Sequence, residues 1–185
     1  MMIMDVQSFY QKVIKFACYK HLKKKQKVKG TKLPYVVHLS NVAMEIFMAA
    51  LNTEKLNLAF AVQVAILHDT IEDTSTSHDE IKDNFGADIA DAVLALSKYE
   101  YLPKKQQTKD SLIRIKRLSK EVWAVKLADR ITNLQPPPTK WSKKKRIKYH
   151  KEAKVILKEL KEGNEYLAKR LKEKIKEYGN FINQK

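Results

Sequence analysis

The sequence predicts an all-α fold, a single-domain bundle of many helices. Three observations predict it. Apolar residues recur at three- and four-residue spacing along nearly the whole chain, which is the repeat of one helix face. Only four Gly and five Pro occur in 185 residues, and most fall between the periodic stretches. No stretch carries a trustworthy two-residue strand alternation, and no internal repeat or linker divides the chain.

The first amphipathic helix runs over residues 9–20, with Phe9, Val13, Phe16 and Ala17 on one face. A basic segment, HLKKKQKVKGTK at residues 21–32, follows, with Gly30 as a natural stop. It reads equally as a solvated loop or as a loop facing phosphate. After Leu33-Pro34-Tyr35 comes a second helix, VVHLSNVAMEIFMAAL, with Val42, Ile46, Ala49 and Ala50 apolar and His38 at its start. A lone His in such a place is more often structural than a ligand. Residues 56–67 form a third, apolar helix. Ser77 to Glu80 reads as a capping box opening a short helix that stops near Gly86, with His78 exposed and inert on the cap.

Residues 87–98 give another apolar-rich helix through Ile89, Ala92, Val93 and Leu96. A polar loop containing Pro103 spans residues 99–109, and a basic amphipathic helix spans residues 110–120. Residues 121–134, EVWAVKLADRITNL, form a dense apolar helix that Pro136-Pro137-Pro138 ends abruptly. A long helix with a basic face covers residues 141–160, and Gly163 breaks it. A last charge-laced helix, over residues 166–182, serves packing or dimer formation. The chain is thus one domain, 1–185, with a core over about 9–160 and a packing helix over about 164–182.

A net charge of +16 invites a nucleic-acid reading. Yet only five of the 37 basic residues are Arg, the residue that phosphate forks favour. Spread lysines fit a solvated surface better, and they steer a small polyanion towards a cleft. No apolar run is long enough to span a bilayer. The N-terminus carries charges within its apolar stretch and no small-residue cleavage site, so no signal peptide is read. Cys18 stands alone, which excludes a disulfide framework and fits a reducing, cytoplasmic setting.

The densest chemistry lies in VQVAILHDTIEDT, residues 62–74. His68, Asp69, Glu72 and Asp73 end a segment that otherwise reads as buried helix, where unpartnered ionisable groups are costly. On a continuous helix His68 and Glu72 share one face, and Asp69 and Asp73 the adjacent one. The stretch alone reads evenly as a metal site or as a helix end fraying into an acidic loop. Asp129, in the later apolar helix, has a plain alternative in an ion pair with Lys126 or Arg130. If the helices bearing His38, His68-Asp69 and Asp129 pack together, two imidazoles and two carboxylates converge. That mixed set suits Mn, Fe or Zn, and Glu72 and Asp73 are the nearest carboxylates to orient a water and move its proton.

These residues carry a resemblance. His38, His68-Asp69 and Asp129 match the H…HD…D signature of the HD superfamily of metal-dependent phosphohydrolases. KGTKLPYVVH, ILHDTIEDT, FGADIADAV, KLADRITNL and WSKKKRIKYHKEA resemble the RelA/SpoT hydrolase domain, above all the stand-alone small alarmone hydrolases. The resemblance implies an all-helical HD-domain bundle with a single Mn ion in a central cleft. It implies removal of pyrophosphate from the 3′ position of guanosine tetra- or pentaphosphate. By position it implies His38, His68, Asp69 and Asp129 as metal ligands, and Glu72 and Asp73 as the pair that activates water. Lys29, Ser97, Lys98, Asn133 and Tyr149 fall at substrate-binding positions. Asn133 matches a ribose contact, Tyr149 a tyrosine of the nucleotide pocket, and Lys29 the lysine of an Arg-Lys pair.

The chain departs from that pattern in places. Val28 stands where the pair has Arg, residues 21–26 are longer than H-x-G-Q and lack its Gly, and Glu100 stands where some relatives have Lys. These departures keep a second reading open, an HD phosphohydrolase acting on another phosphorylated nucleotide such as NADPH at its 2′-phosphate or an adenosine alarmone. A third reading is a non-catalytic basic nucleic-acid-binding module. No synthetase segment follows, so degradation alone is expected. A homo-oligomer is compatible with the sequence.

Overall fold

A computed structural model describes residues 5–182, and they are helical almost throughout. Ten α-helices follow in order: α1 Val6–Lys23, α2 Val36–Asn52, α3 Leu58–Leu67, α4 Thr70–Asp73, α5 His78–Phe85, α6 Ala87–Leu96, α7 Lys104–Ile115, α8 Lys120–Asn133, α9 Lys143–Leu160 and α10 Glu165–Gly179. A 3₁₀ turn, Lys161–Gly163, links the last two. Among the described residues there is no strand, only an isolated bridge between Lys27 and Pro34. All-α architecture is therefore what the structure has.

Helix α3 is the centre. All its residues from Ala61 to Leu67 are buried, and α1, α2, α6 and α8 pack around it. Helix α8 is nearly as enclosed, with every residue from Val122 to Ile131 buried. It lies against α2 and α3 on one side and α9 and α10 on the other. The apolar stripe of α10, Leu167, Leu171, Ile175 and Tyr178, is buried within the chain, so this helix packs. Arg170 adds a two-pronged bond to Glu45 on α2, at 2.5 and 2.7 Å.

Three local features differ from the sequence reading. Helix α7 starts at Lys104 and ends at Ile115, not over residues 110–120. Pro103 is its N-cap, with an extended backbone that has no amide proton to leave unpaired. Helix α1 stops before Gly30, because Lys25 takes φ 51° and turns the chain back on itself. His78 is half-buried and bonded to Asp91 at 2.7 Å, although Ser77 caps α5 as expected, accepting from the Glu80 amide.

Two glycines allow close approaches. Gly30 has φ +80°, and a Cβ there would lie 2.6 Å from Pro138. At Gly163 a Cβ would lie 2.5 Å from the Cβ of Trp123, so only glycine lets the 3₁₀ turn sit on α8.

Candidate metal centre

The path to the site begins with a break. Helix α3 ends at Leu67, and Asp69 sits at φ −104°, ψ 0°, outside the helical region. Neighbouring side chains on a continuous helix diverge by about 100°. The break instead lets His68 and Asp69 aim at one point, with Nε2 and Oδ2 3.0 Å apart. The continuous-helix expectation for these four residues is thus replaced by two helices with the His-Asp pair at the joint.

His38 arrives from the first turn of α2 and Asp129 from the last turns of α8. His38 Nε2 lies 3.4 Å from His68 Nε2, 3.8 Å from Asp69 Oδ2 and 3.5 Å from Asp129 Oδ1. Asp129 Oδ1 lies 3.6 Å from His68 Nε2. Ligand atoms of His38, His68 and Asp69 all fall within 4.8 Å of one another. His38, His68 and Asp129 are buried, and Asp69 is mostly so.

The tautomer of His68 tests whether this set fits a cation. His68 Nδ1 is 2.7 Å from the Ala65 carbonyl, which can only accept, so Nδ1 carries the proton. In the neutral ring Nε2 then presents a lone pair to two carboxylates. Such an array is stable with a cation at its focus, or with the ring protonated. With the side chains alone, burial disfavours the His68 charge, but Asp69 and Asp129 hold its pKa well above the usual histidine value. Burial alone would raise Asp69 and Asp129, yet His68 beside Asp69 and Lys126 beside Asp129 hold both below the carboxylate range. The donor chemistry fits a divalent ion.

A supporting shell fixes the carboxylates. The Tyr35 hydroxyl donates to Asp69 Oδ2. Lys126 Nζ donates to Asp129 Oδ2 at 3.1 Å, and Asn133 Nδ2 donates to Asp129 Oδ1. The ion pair weighed as a plain alternative for Asp129 is therefore present through Lys126, while Arg130 bonds Glu152 instead. Both coexist with the converging imidazoles.

Glu72 and Asp73 stand beside the cluster in α4. Glu72 accepts the Lys98 amide at 2.8 Å, and Asp73 accepts Gln26 Nε2 at 2.7 Å. Burial raises the pKa of both, and the Asp69 charge adds to the rise.

Two cavities flank the centre, and Asp73 lines both. One, of about 350 Å³, is bounded by Lys29, Tyr35, His38, Asn133, Trp141 and Tyr149 among others. The other, of about 420 Å³, is bounded by Glu72, Ser97, Lys98 and Tyr99. Lys29 lies over the Trp141 ring, 5.4 Å from its centroid, and burial together with Lys145 lowers its pKa. Tyr149 meets Trp141 edge-on, with the Arg130 guanidinium 4.7 Å from its ring centre. Ser97 lines the second cavity, but its hydroxyl is bonded to the Val93 carbonyl at 2.8 Å.

The sequence reading missed Tyr35, Gln26 and Tyr178. Tyr35 had a usable signal, standing three residues before His38 and so on the same side of the helix start. Gln26 had none, since a turn outside any helix brings it to Asp73. Tyr178 comes from α10, where it reads as one more apolar core position, yet it lines the first cavity.

A family model described as HD domain matches residues 14–161 of the sequence. The chain belongs to the HD domain family. This HD domain protein is 33% identical over 169 residues to guanosine-3′,5′-bis(diphosphate) 3′-pyrophosphohydrolase MESH1 of Mus musculus, covering 89% of this chain and 91% of the relative. The protein of the same name from Homo sapiens is 33% identical over 172 residues, covering 90% and 93%. Among solved structures, one described as a metazoan ortholog of SpoT that hydrolyzes ppGpp superposes with a TM-score of 0.80. It is 26% identical and covers 93% of this chain and 96% of that one. No helix among the described residues is long and apolar enough to cross a membrane.

Proposed function

We propose that this HD domain protein is a metal-dependent guanosine-3′,5′-bis(diphosphate) 3′-pyrophosphohydrolase. The observation that carries the reading is the approach of His38, His68, Asp69 and Asp129 to one focus, at 3.0 to 3.8 Å between their facing atoms. Relatives named for this activity match nine-tenths of the chain. The four residues are the ligand set, and the ion is Mn, with Fe and Zn the other metals such donors accept. When bound, the ion supplies Lewis-acid polarisation of a phosphate oxygen and a nucleophile near neutral pH.

The chain's own groups do the rest. Asp73 and Glu72 orient the attacking water and take its proton, their raised pKa values bringing them nearer the working pH. The oxygen of water bonds to the phosphorus on the 3′ ester, that phosphorus–oxygen bond breaks, and the proton passes to the 3′ oxygen. Lys29 and Lys98 offset the charge of the pyrophosphate groups. Tyr149 and Trp141 receive the nucleoside, and Asn133 orients its ribose while bonded to Asp129. Ser97 shapes the second cavity through its backbone. The cytoplasm, where such nucleotides and a lone unpaired Cys18 both belong, is the proposed compartment.

A second reading rests on Val28, which lines the first cavity where the resemblance has Arg. The same centre then acts on another phosphorylated nucleotide, such as NADPH at its 2′-phosphate. Purified protein with Mn is tested on a panel of nucleotides for phosphate and pyrophosphate release. Conversion of ppGpp to GDP and pyrophosphate is expected, with Asp129→Ala inactive. Preference for another member of the panel selects the second reading.

A further inference from the structure

Away from the catalytic centre, α7 and α9 barely touch and leave an open groove of about 760 Å³ between them. Its floor is apolar: Leu112, Ile113 and Val155, of which Ile113 is 46% and Val155 47% exposed. Its rim is basic: Lys104, Lys105, Lys109, Lys116, Lys148 and Lys151. Lys116 pairs with Glu159, while the other five make no ion pair among the described residues. An apolar floor within a ring of lysines, most of them without an ion pair among the described residues, is complementary to a rod that is apolar on one face and acidic on its flanks.

Other occupants fit less well. A second copy of this chain, at +16, repels this rim. A bilayer cannot enter a concavity between two helices. A nucleic acid gains nothing from the apolar floor, and the rim holds no Arg.

Both walls of the groove lead to the centre. On α7, Arg114 donates to the Ser97 carbonyl at 2.6 Å, and the next amide, Lys98, donates to Glu72 at 2.8 Å. On α9, Glu152 lines the groove and binds Arg130, which follows Asp129 in α8 and stacks on Tyr149. Arg130 Nε and Nη1 are buried with no hydrogen-bond partner among the described residues, so Glu152 is its anchor.

We propose that the α7–α9 groove docks an acidic amphipathic helix of a partner protein, and that docking is felt at the catalytic centre through Arg114 and Glu152. The coupling rests on the pyrophosphohydrolase reading above; the docking does not.

The probe is a fluorescein-labelled synthetic helix of about 16 residues, roughly four turns, with Leu at i, i+3, i+4 and i+7 and Glu on the flanks. Fluorescence anisotropy on the full chain measures its binding. Reversing Lys105, Lys109, Lys148 and Lys151 to Glu is expected to weaken binding at least about tenfold. Ile113→Gln with Val155→Gln, both at exposed positions, is expected to weaken it several-fold without lowering Tm. Reversing four exposed lysines elsewhere, Lys15, Lys169, Lys172 and Lys176, imposes the same change of net charge and is expected to leave binding within about threefold.

Equal binding of a peptide with the same composition in scrambled order, or an equal loss in the control reversal, means bulk attraction and overturns the site. Displacement of the peptide by short duplex RNA at equal charge overturns the choice of occupant. Saturating peptide is expected to change ppGpp turnover at least about twofold, and not in the rim variant. Binding with unchanged turnover overturns the coupling alone. A native protein that binds the peptide and releases no pyrophosphate sinks the functional reading and leaves the docking site standing.

Discussion

Gln26 Nε2 donates to Asp73 Oδ2 at 2.7 Å, while its other end, Oε1, faces His21 Nδ1 at 2.5 Å. The turn at Lys25 makes this reach, bringing the Gln26 amide to within 3.1 Å of the His21 carbonyl. Residue 26 therefore holds one of the two proposed proton-handling carboxylates in place. Gln26→Leu removes both bonds and is expected to lower kcat roughly tenfold, with KM changed less than about threefold. In an Asp73→Asn background the same change should have little further effect. Equal losses in both backgrounds would mean that Gln26 serves the fold and not Asp73.

The four proposed ligands, His38, His68, Asp69 and Asp129, should make the protein's stability depend on the proposed ion. Bound metal stabilises only the folded chain, by about 2.7 kcal/mol at a hundredfold excess over Kd. For a chain of this size that is a Tm shift of roughly 5–10 °C. Chelation followed by a thermal melt measures it, and addition of Mn should restore the original Tm. Asp129→Asn keeps the volume, removes a charge, and should abolish both the metal shift and turnover. A melt that chelation leaves unchanged, after the metal is shown to be gone, argues against the proposed ligand set.

Much of this centre was legible because its residues break a strong pattern. Asp129 interrupts an apolar helix, and His68-Asp69 ends another, so each stands out against its neighbours. The periodicity that located α8 also placed Asn133 on the same side as Asp129. Three features were not legible. The break between α3 and α4 is invisible, since Thr70 to Asp73 are helical again and the composition does not change. Contacts such as Gln26–Asp73, 47 residues apart, follow from tertiary packing of a polar loop that has no period. The early start of α7 was missed because Lys104 to Lys109 are polar on every face, and only Pro103 marked the boundary.

Glu152 and Arg130 give a prediction in pH. Burial raises the Glu152 carboxyl, but Arg130, with Lys98 and Lys126, outweighs it and holds the pKa below the ordinary glutamate value of 4.5. A depressed carboxyl stabilises the fold above its unfolded pKa, and that contribution fades as pH falls through the folded value. The pair should therefore contribute fully at pH 7 and progressively less below about pH 4.5. Glu152→Gln leaves Arg130 buried without its anchor and should cost about 3 kcal/mol at pH 7. Urea melts of both proteins across pH 3–7 should converge at the acid end. A gap that stays constant with pH would assign the loss to packing.

Tyr178 offers a change whose effects on stability and on substrate binding have opposite signs. Its hydroxyl is buried with no hydrogen-bond partner among the described residues, and Tyr178 lines the cavity proposed to receive the nucleoside. An unpaired buried hydroxyl is a desolvation loss to the free protein, so Tyr178→Phe should leave Tm unchanged or raise it slightly. If the nucleotide supplies the missing partner, the same substitution removes about 1 kcal/mol of binding, a rise in KM of roughly fivefold, with kcat little altered. The ring contacts with Tyr149 and Phe181 survive in the variant, which isolates the oxygen. Steady-state kinetics beside a thermal melt separates the two effects. An unchanged KM with a raised Tm shows a hydroxyl that the substrate never meets.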